Sequence, residues 1–131
     1  MINTEDLTHT PAVKIFNLPN GDCSFQHGSL PNNIKIEATN FWFQNHTDIY
    51  EEKLHPAPRL QYVITLKGKL EFTVSDGSKF IIEPGIIIVA ADTNGPGHSW
   101  KMLEGDVWER IYVPVVGDEE KWFVARGGNQ I

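Results

Sequence analysis

At 131 residues, 40% of them apolar, the chain has material for one hydrophobic core, and a single domain is expected. The formal charge of −6, with lysines and arginines clustered nowhere, argues against nucleic acid as a partner, because phosphate binding needs a positive surface. Cys23 is the only cysteine, which excludes an internal disulfide and a cysteine-rich zinc site and fits a reducing compartment.

Residues 1–11, MINTEDLTHTP, are polar and acidic and lack the basic start and apolar run of a secretory signal. Residues 12–18 read as a first short strand, closed by Pro19, Asn20 and Gly21. After loop signals at Gly28, Pro31 and Asn33, Ile34, Ile36 and Ala38 alternate with Lys35 and Glu37, the period of a half-buried strand. Phe41, Trp42 and Phe43 continue as strand, and residues 44–54 are polar, a loop or a strand edge. Branched and aromatic residues from Arg59 to Leu66 predict a strand that ends at Gly68, and Leu70, Phe72 and Val74 predict the next. Asp76-Gly77 predicts a hairpin with a type I′ turn, which needs positive φ at both central positions. Phe80 and Ile82 alternate with Lys79 and Glu83, Pro84-Gly85 turns, and residues 86–90 read as a strand buried on both faces.

Residues 86–91, IIIVAA, are the longest strongly apolar run and far too short to cross a bilayer, so a cytoplasmic protein with no membrane partner is expected. Asn94-Gly95-Pro96-Gly97 bends the chain, after which His98, Trp100 and Met102 alternate with Ser99 and Lys101. Glu104-Gly105-Asp106 turns into a last core strand over residues 107–115. Over residues 118–125 Asp118 would cap a short helix, or Trp122, Phe123 and Val124 would form an edge strand; a tail follows.

Short strands punctuated in this way predict an all-β sandwich or barrel, in which alternate residues face the interior. His55, Ala57, Arg59, Gln61, Val63 and Thr65 share one parity, and His98, Trp100 and Met102 share the inward parity of another strand. His55 and His98 are therefore expected to meet at a common cavity.

The same stretch resembles the cupin superfamily, single-domain jelly-roll barrels also described as double-stranded β-helices. His55 matches the first histidine of the first cupin motif, and Gly68 its closing glycine. Ala57 stands at the second histidine, Gln61 at the glutamate, and Ile49 at the opening glycine. In the second motif Gly85, Gly95 and His98 match, the loop is longer, Thr93 replaces the proline, and Met102 replaces the asparagine. The resemblance covers about residues 34–115 and implies a divalent metal as cofactor, held here by His55, Gln61 and His98. Two of the four cupin ligands survive, and Gln61 is a neutral amide that brings no charge to offset a dication.

A further anionic ligand would be needed. Glu109 supplies it if Ile111 and Val113 face inward, and is lost to solvent if Trp108, Arg110 and Tyr112 do; Asp92 and Glu37 are weaker candidates. Asp92 is expected to cap the turn that follows it. Arg59 is placed to hold a carboxylate or phosphate through its planar guanidinium, or to pair with a surface acid. Trp100 and Tyr62 complete the expected ligand-binding set. His9, His27 and His46 are expected in solvated loops, and Cys23 near a turn with no base beside it.

Three functions follow from this reading. The first is a pocket for a small polar or acidic molecule, with His55 and His98 as catalytic residues moving a proton. The second is a metal-dependent cupin enzyme of dioxygenase or isomerase type, and the third a ligand sensor without chemistry. A homodimer is expected, because cupins commonly pair and the apolar residues 12–18 and 122–124 have no evident core partner; an exchanged N-terminal strand would cover them.

Overall fold

The computed structural model describes residues 8–45 and 50–126, without the side chains of residues 50–52. His46, Ile49, the acidic N-terminus and the tail lie outside the described residues. The fold is all-β. Nine strands form: β1 (His9–Asn17), β2 (Cys23–Pro31), β3 (Trp42–Gln44), β4 (Tyr50–His55), β5 (Gln61–Val74), β6 (Lys79–Ile82), β7 (Ile87–Ala90), β8 (His98–Pro114) and β9 (Val124–Ala125). Among the described residues there is no α-helix, and none long and apolar enough to cross a membrane. Neither alternative for residues 118–125 holds as expected: a 3-10 turn forms at Glu119–Trp122 without a side-chain cap from Asp118, and the strand β9 begins only at Val124, leaving Trp122 and Phe123 outside it.

The strands join in one mixed sheet, ordered β3-β8-β5-β7-β1-β2-β9, with β4 added on β8 and β6 on β5. The long antiparallel pair β5–β8 organises it. Gly68 does not end a strand, and Glu104-Gly105-Asp106 does not separate two. Lys67 lies opposite Glu109 and Lys69 opposite Glu104, so two steps along β5 span five along β8. A bulge of this kind bends and twists both strands. Gly68 permits it, with φ of 108°, and a Cβ there would sit 2.8 Å from the Val107 carbonyl oxygen. One half of this long ribbon pairs with β4 and β6, the other with β3 and β7.

The bend folds the two halves face to face over one core. Val13, Ile15, Val63 and Ile88 from one half meet Leu70, Phe72, Phe80 and Ile82 from the other. Each such side chain contributes about 1.5–3 kcal/mol on burial. The outer face of the larger half is covered too: Ala12, Leu30, Tyr62 and Val89 pack against Ile36, Trp122 and Phe123.

Several expectations are corrected. The strand pairings do not close into a barrel. β4 pairs with β8 alone and stops at His55, because Pro56 and Pro58 have no N–H to extend a ladder. A backbone bond from Ala57 N–H to the Asp92 carbonyl, 2.9 Å, links the segment after β4 to the end of β7. The alternating residues 34–38 form only an isolated bridge, Ala38 opposite Val115, after Asn33 turns the chain at φ of 69°. Of the two readings for residues 44–54, loop or strand edge, the second holds from Tyr50 on, where strand β4 pairs with β8. Asp76-Gly77 is not a type I′ turn: Gly77 alone has positive φ, its N–H donates to the Val74 carbonyl, and Val74 pairs with Ser78 around a three-residue loop. Residues 12–17 have partners in their own chain, β1 lying between β2 and β7, and Trp122 and Phe123 pack on the outer cluster. These apolar residues therefore have core partners within the chain.

Candidate functional site

A cavity of about 260 Å³ lies between the two halves of the sheet. Strand alternation decides what faces it. On β5, Gln61 and Val63 point in; on β7, Ile88 and Ala90 do. The first half of β8 contributes His98 and Trp100, the second half Trp108 and Tyr112. Trp42 and Gln44 on β3, His55 at the end of β4 and Ala57, Pro58 and Arg59 beyond it complete the wall with Ile15 and Phe72. The lining is mostly aromatic and aliphatic, with a few convergent polar groups, which is the usual composition of a small-molecule pocket.

His55 and His98 do come together. They are register partners across β4 and β8, with ring centroids 5.1 Å apart. Gly97 makes the approach possible: it is buried at φ of 89°, and a Cβ there would overlap the His55 carbonyl. His98 is buried, and its Nδ1 lies 2.6 Å from Asp92 Oδ2. Asp92 is 0% exposed, and its side-chain hydrogen bond goes to His98 rather than to the turn it is expected to cap. The carboxylate accepts the Nδ1–H, which leaves His98 Nε2 as the nitrogen with a free lone pair. Among the described residues Asp92 Oδ1 meets no N–H or hydroxyl donor, and only the weak S–H of Cys23 is close enough to the carboxylate to bond it. Behind it sits the buried Cys23, whose thiol is pushed up by burial and then by the Asp92 charge. His55 Nδ1 is 3.3 Å from the carbonyl of Pro56.

Arg59 forms the polar rim, and the buried Gln61 lies just inside it. An Arg59 Nη1–H donates to Gln61 Oε1 at 3.0 Å, and the guanidinium carbon lies 5.7 Å from the centre of the Trp42 ring. Arg59 is exposed, borders the cavity and makes no ion pair among the described residues. Trp100 lines the cavity, edge-on to Trp108 at 5.1 Å. Trp108 is buried and its Nε1–H donates to Thr65 Oγ1.

Two expected site residues lie elsewhere. Tyr62 has the opposite parity to Gln61 and faces the outer cluster, where its O–H donates to the Glu119 carbonyl at 2.7 Å. Burial, and then the charges of Glu119 and Glu120, push its pKa up to about 12. Glu109 points away from the cavity into a shallow groove with Phe43 and Leu66, because Trp108, Arg110 and Tyr112 take the inward parity. Arg110 fixes that aromatic wall: it donates to the Trp108 carbonyl (2.7 Å) and to Tyr112 Oη (3.0 Å) and stacks 4.2 Å over Trp108. Glu37 is exposed on the outer segment. His9 and His27 are in strands β1 and β2 rather than loops; His27 stands edge-on to Phe25, and burial and then Arg126 lower its pKa.

The donor set does not fit the divalent metal that the resemblance implies. The cavity offers two imidazoles and one amide, and the Gln61 oxygen already accepts from Arg59. Asp92 is committed to His98 Nδ1, no other acid of the described residues joins the two histidines, and a dication would face a guanidinium. Zinc and non-haem iron need at least three good donors with compensating charge. No protein-family model matches the chain, and a search of curated proteins finds no match.

Proposed function

We propose that the cavity binds a small organic acid with a flat or apolar body, in a cupin-like protein whose metal positions have passed to ligand recognition. The observation that carries the reading is the arrangement of charge and shape. A mostly aromatic cavity ends at a rim where Arg59 pairs with no acid among the described residues, while Gln61, His55 and His98 offer hydrogen bonds deeper in. A guanidinium takes a carboxylate in a two-pronged fashion, and its position beside Trp42 limits where that carboxylate sits. An apolar cavity of about 150 Å³ already takes benzene. One of about 260 Å³ therefore admits a ring with one or two substituents.

Thermal stabilisation by benzoate, phenylacetate and phenylpyruvate, against chloride at equal ionic strength, tests this. At ten times Kd a bound acid adds about 1.4 kcal/mol, which raises Tm by several degrees. Arg59→Met should abolish most of the rise, and His98→Ala should reduce it. Equal shifts in the parent and both variants would overturn the assignment.

A further inference from the structure

We infer that Asp92 and His98 make this cavity a proton-transfer site, with enolisable 2-oxo acids as the substrate class. The inference rests on the acid-binding reading and adds a reaction to it. Three observations converge. Asp92 is wholly buried, touches His98 Nδ1 at 2.6 Å, and among the described residues its other oxygen meets no N–H or hydroxyl donor, only the weak S–H of Cys23 being close enough to the carboxylate to bond it. A buried carboxylate so poorly solvated is costly for a fold to retain. His98 lines the cavity with its ring held between Asp92, Phe72 and His55. His55 is its cross-strand neighbour, so the two imidazoles stand on one wall and address one face of a bound molecule.

A buried carboxylate behind an imidazole fixes the tautomer and sits where positive charge develops as the ring accepts a proton. Asp92 is thus a positioning residue, and His98 Nε2 the base. With the carboxylate of a 2-oxo acid at Arg59, His98 takes a proton from C3. The C–H electron pair becomes the C2–C3 double bond, and the carbonyl oxygen gains a proton from protonated His55. The product is the enol, an isomer of the substrate, and no oxidant or further reactant is consumed. Proton exchange between the adjacent rings or with water resets the pair. Because both rings act from one side, exchange at C3 is stereoselective.

Two measurements test the inference. In ligand-free protein, long-range 1H–15N correlation should report the Nδ1–H tautomer for His98 and lose it in Asp92→Asn. In D2O, proton NMR should show enzyme-dependent loss of one C3 hydrogen of 2-oxobutyrate before the other. Asp92→Asn should slow this by at least about 100-fold, while the phenylpyruvate Kd from calorimetry moves less than about threefold. His98→Gln carries the same kinetic test should Asp92→Asn fail to fold. An Nε2–H tautomer in the parent, or exchange equal to the protein-free rate despite measurable acid binding, would overturn the inference. Absence of any acid binding, with the Nδ1–H tautomer intact, would instead sink the acid-pocket reading and with it the substrate class.

Discussion

Gly97 shows how one residue can hold a site together. It lies directly before His98, its φ is 89°, and its missing side chain leaves room for the carbonyl of His55. Gly77 has nearly the same φ, 93°, but faces open space. The left-handed conformation alone costs an alanine about 1–2 kcal/mol. Gly77→Ala should lose that much, and Gly97→Ala about 2–5 kcal/mol, because the His55 segment must also move. Urea unfolding at constant m-value measures both; equal losses would show that close approach to His55 is not what Gly97 provides. The residues that share a strand parity were readable from the sequence, and His55, Arg59, Gln61, His98 and Trp100 all border the cavity. Tyr62 was misread because its aromatic character was weighed above its parity, which already set it opposite Gln61. Asp92 was misread for a deeper reason. It lies in a loop with no period, and its inward orientation depends on contacts with His98 and the Ala57 backbone, which are remote along the chain or across the turn.

At the scale of elements, β3 is the edge strand on which alternation has the plainest consequence. Trp42 and Gln44 border the cavity, whereas Phe41 and Phe43 are 62% and 68% exposed. Trp42 therefore offers a ring face to Arg59 and to a ligand body, and Phe43 offers neither. An aromatic contact and an exposed cation–π contact are each worth about 0.5–1 kcal/mol. Trp42→Ala should weaken phenylpyruvate binding by roughly five- to thirty-fold by calorimetry, and Phe43→Ser by less than about twofold. Comparable losses would mean that β3 is misaligned by one residue. On β3 the strand was legible but its faces were not, because Phe41, Trp42 and Phe43 are apolar on both sides and offer no alternation. The continuity of β5 and β8 was not legible either, since Gly68 and Gly105 are turn signals as well as bulge signals. Only the offset between Lys67–Glu109 and Lys69–Glu104, a long-range register, distinguishes them. The open sheet was equally hidden, because it depends on which N–H groups beyond His55 find partners.

For the molecule as a whole, the question is what binds the outer layer to the sheet, and Glu119 is central to the answer. Its carbonyl accepts the Tyr62 O–H, its Oε2 accepts the Glu37 N–H at 2.6 Å, and its Oε1 accepts the Trp122 Nε1–H. The Lys14–Glu120 pair beside it is partly exposed and adds at most about 1 kcal/mol. Tyr62 gives this attachment a pH signature. In the folded chain the phenol keeps its proton to about 12, whereas an unfolded tyrosine loses it near pH 10. Below pH 10 both states are protonated and the contribution is fully present. Between pH 10 and 12 the unfolded state ionises first, and about 2–3 kcal/mol of stability is lost as pH rises through that window. Tyr62→Phe should cost about 1 kcal/mol at pH 8, from the hydrogen bond left unmade, and decline less steeply above pH 10. Urea unfolding of both proteins at pH 8, 10 and 11.5 would measure the two slopes. Parallel decline would mean that the alkaline loss arises from other groups, and that the buried phenol is not what couples the outer layer to the sheet.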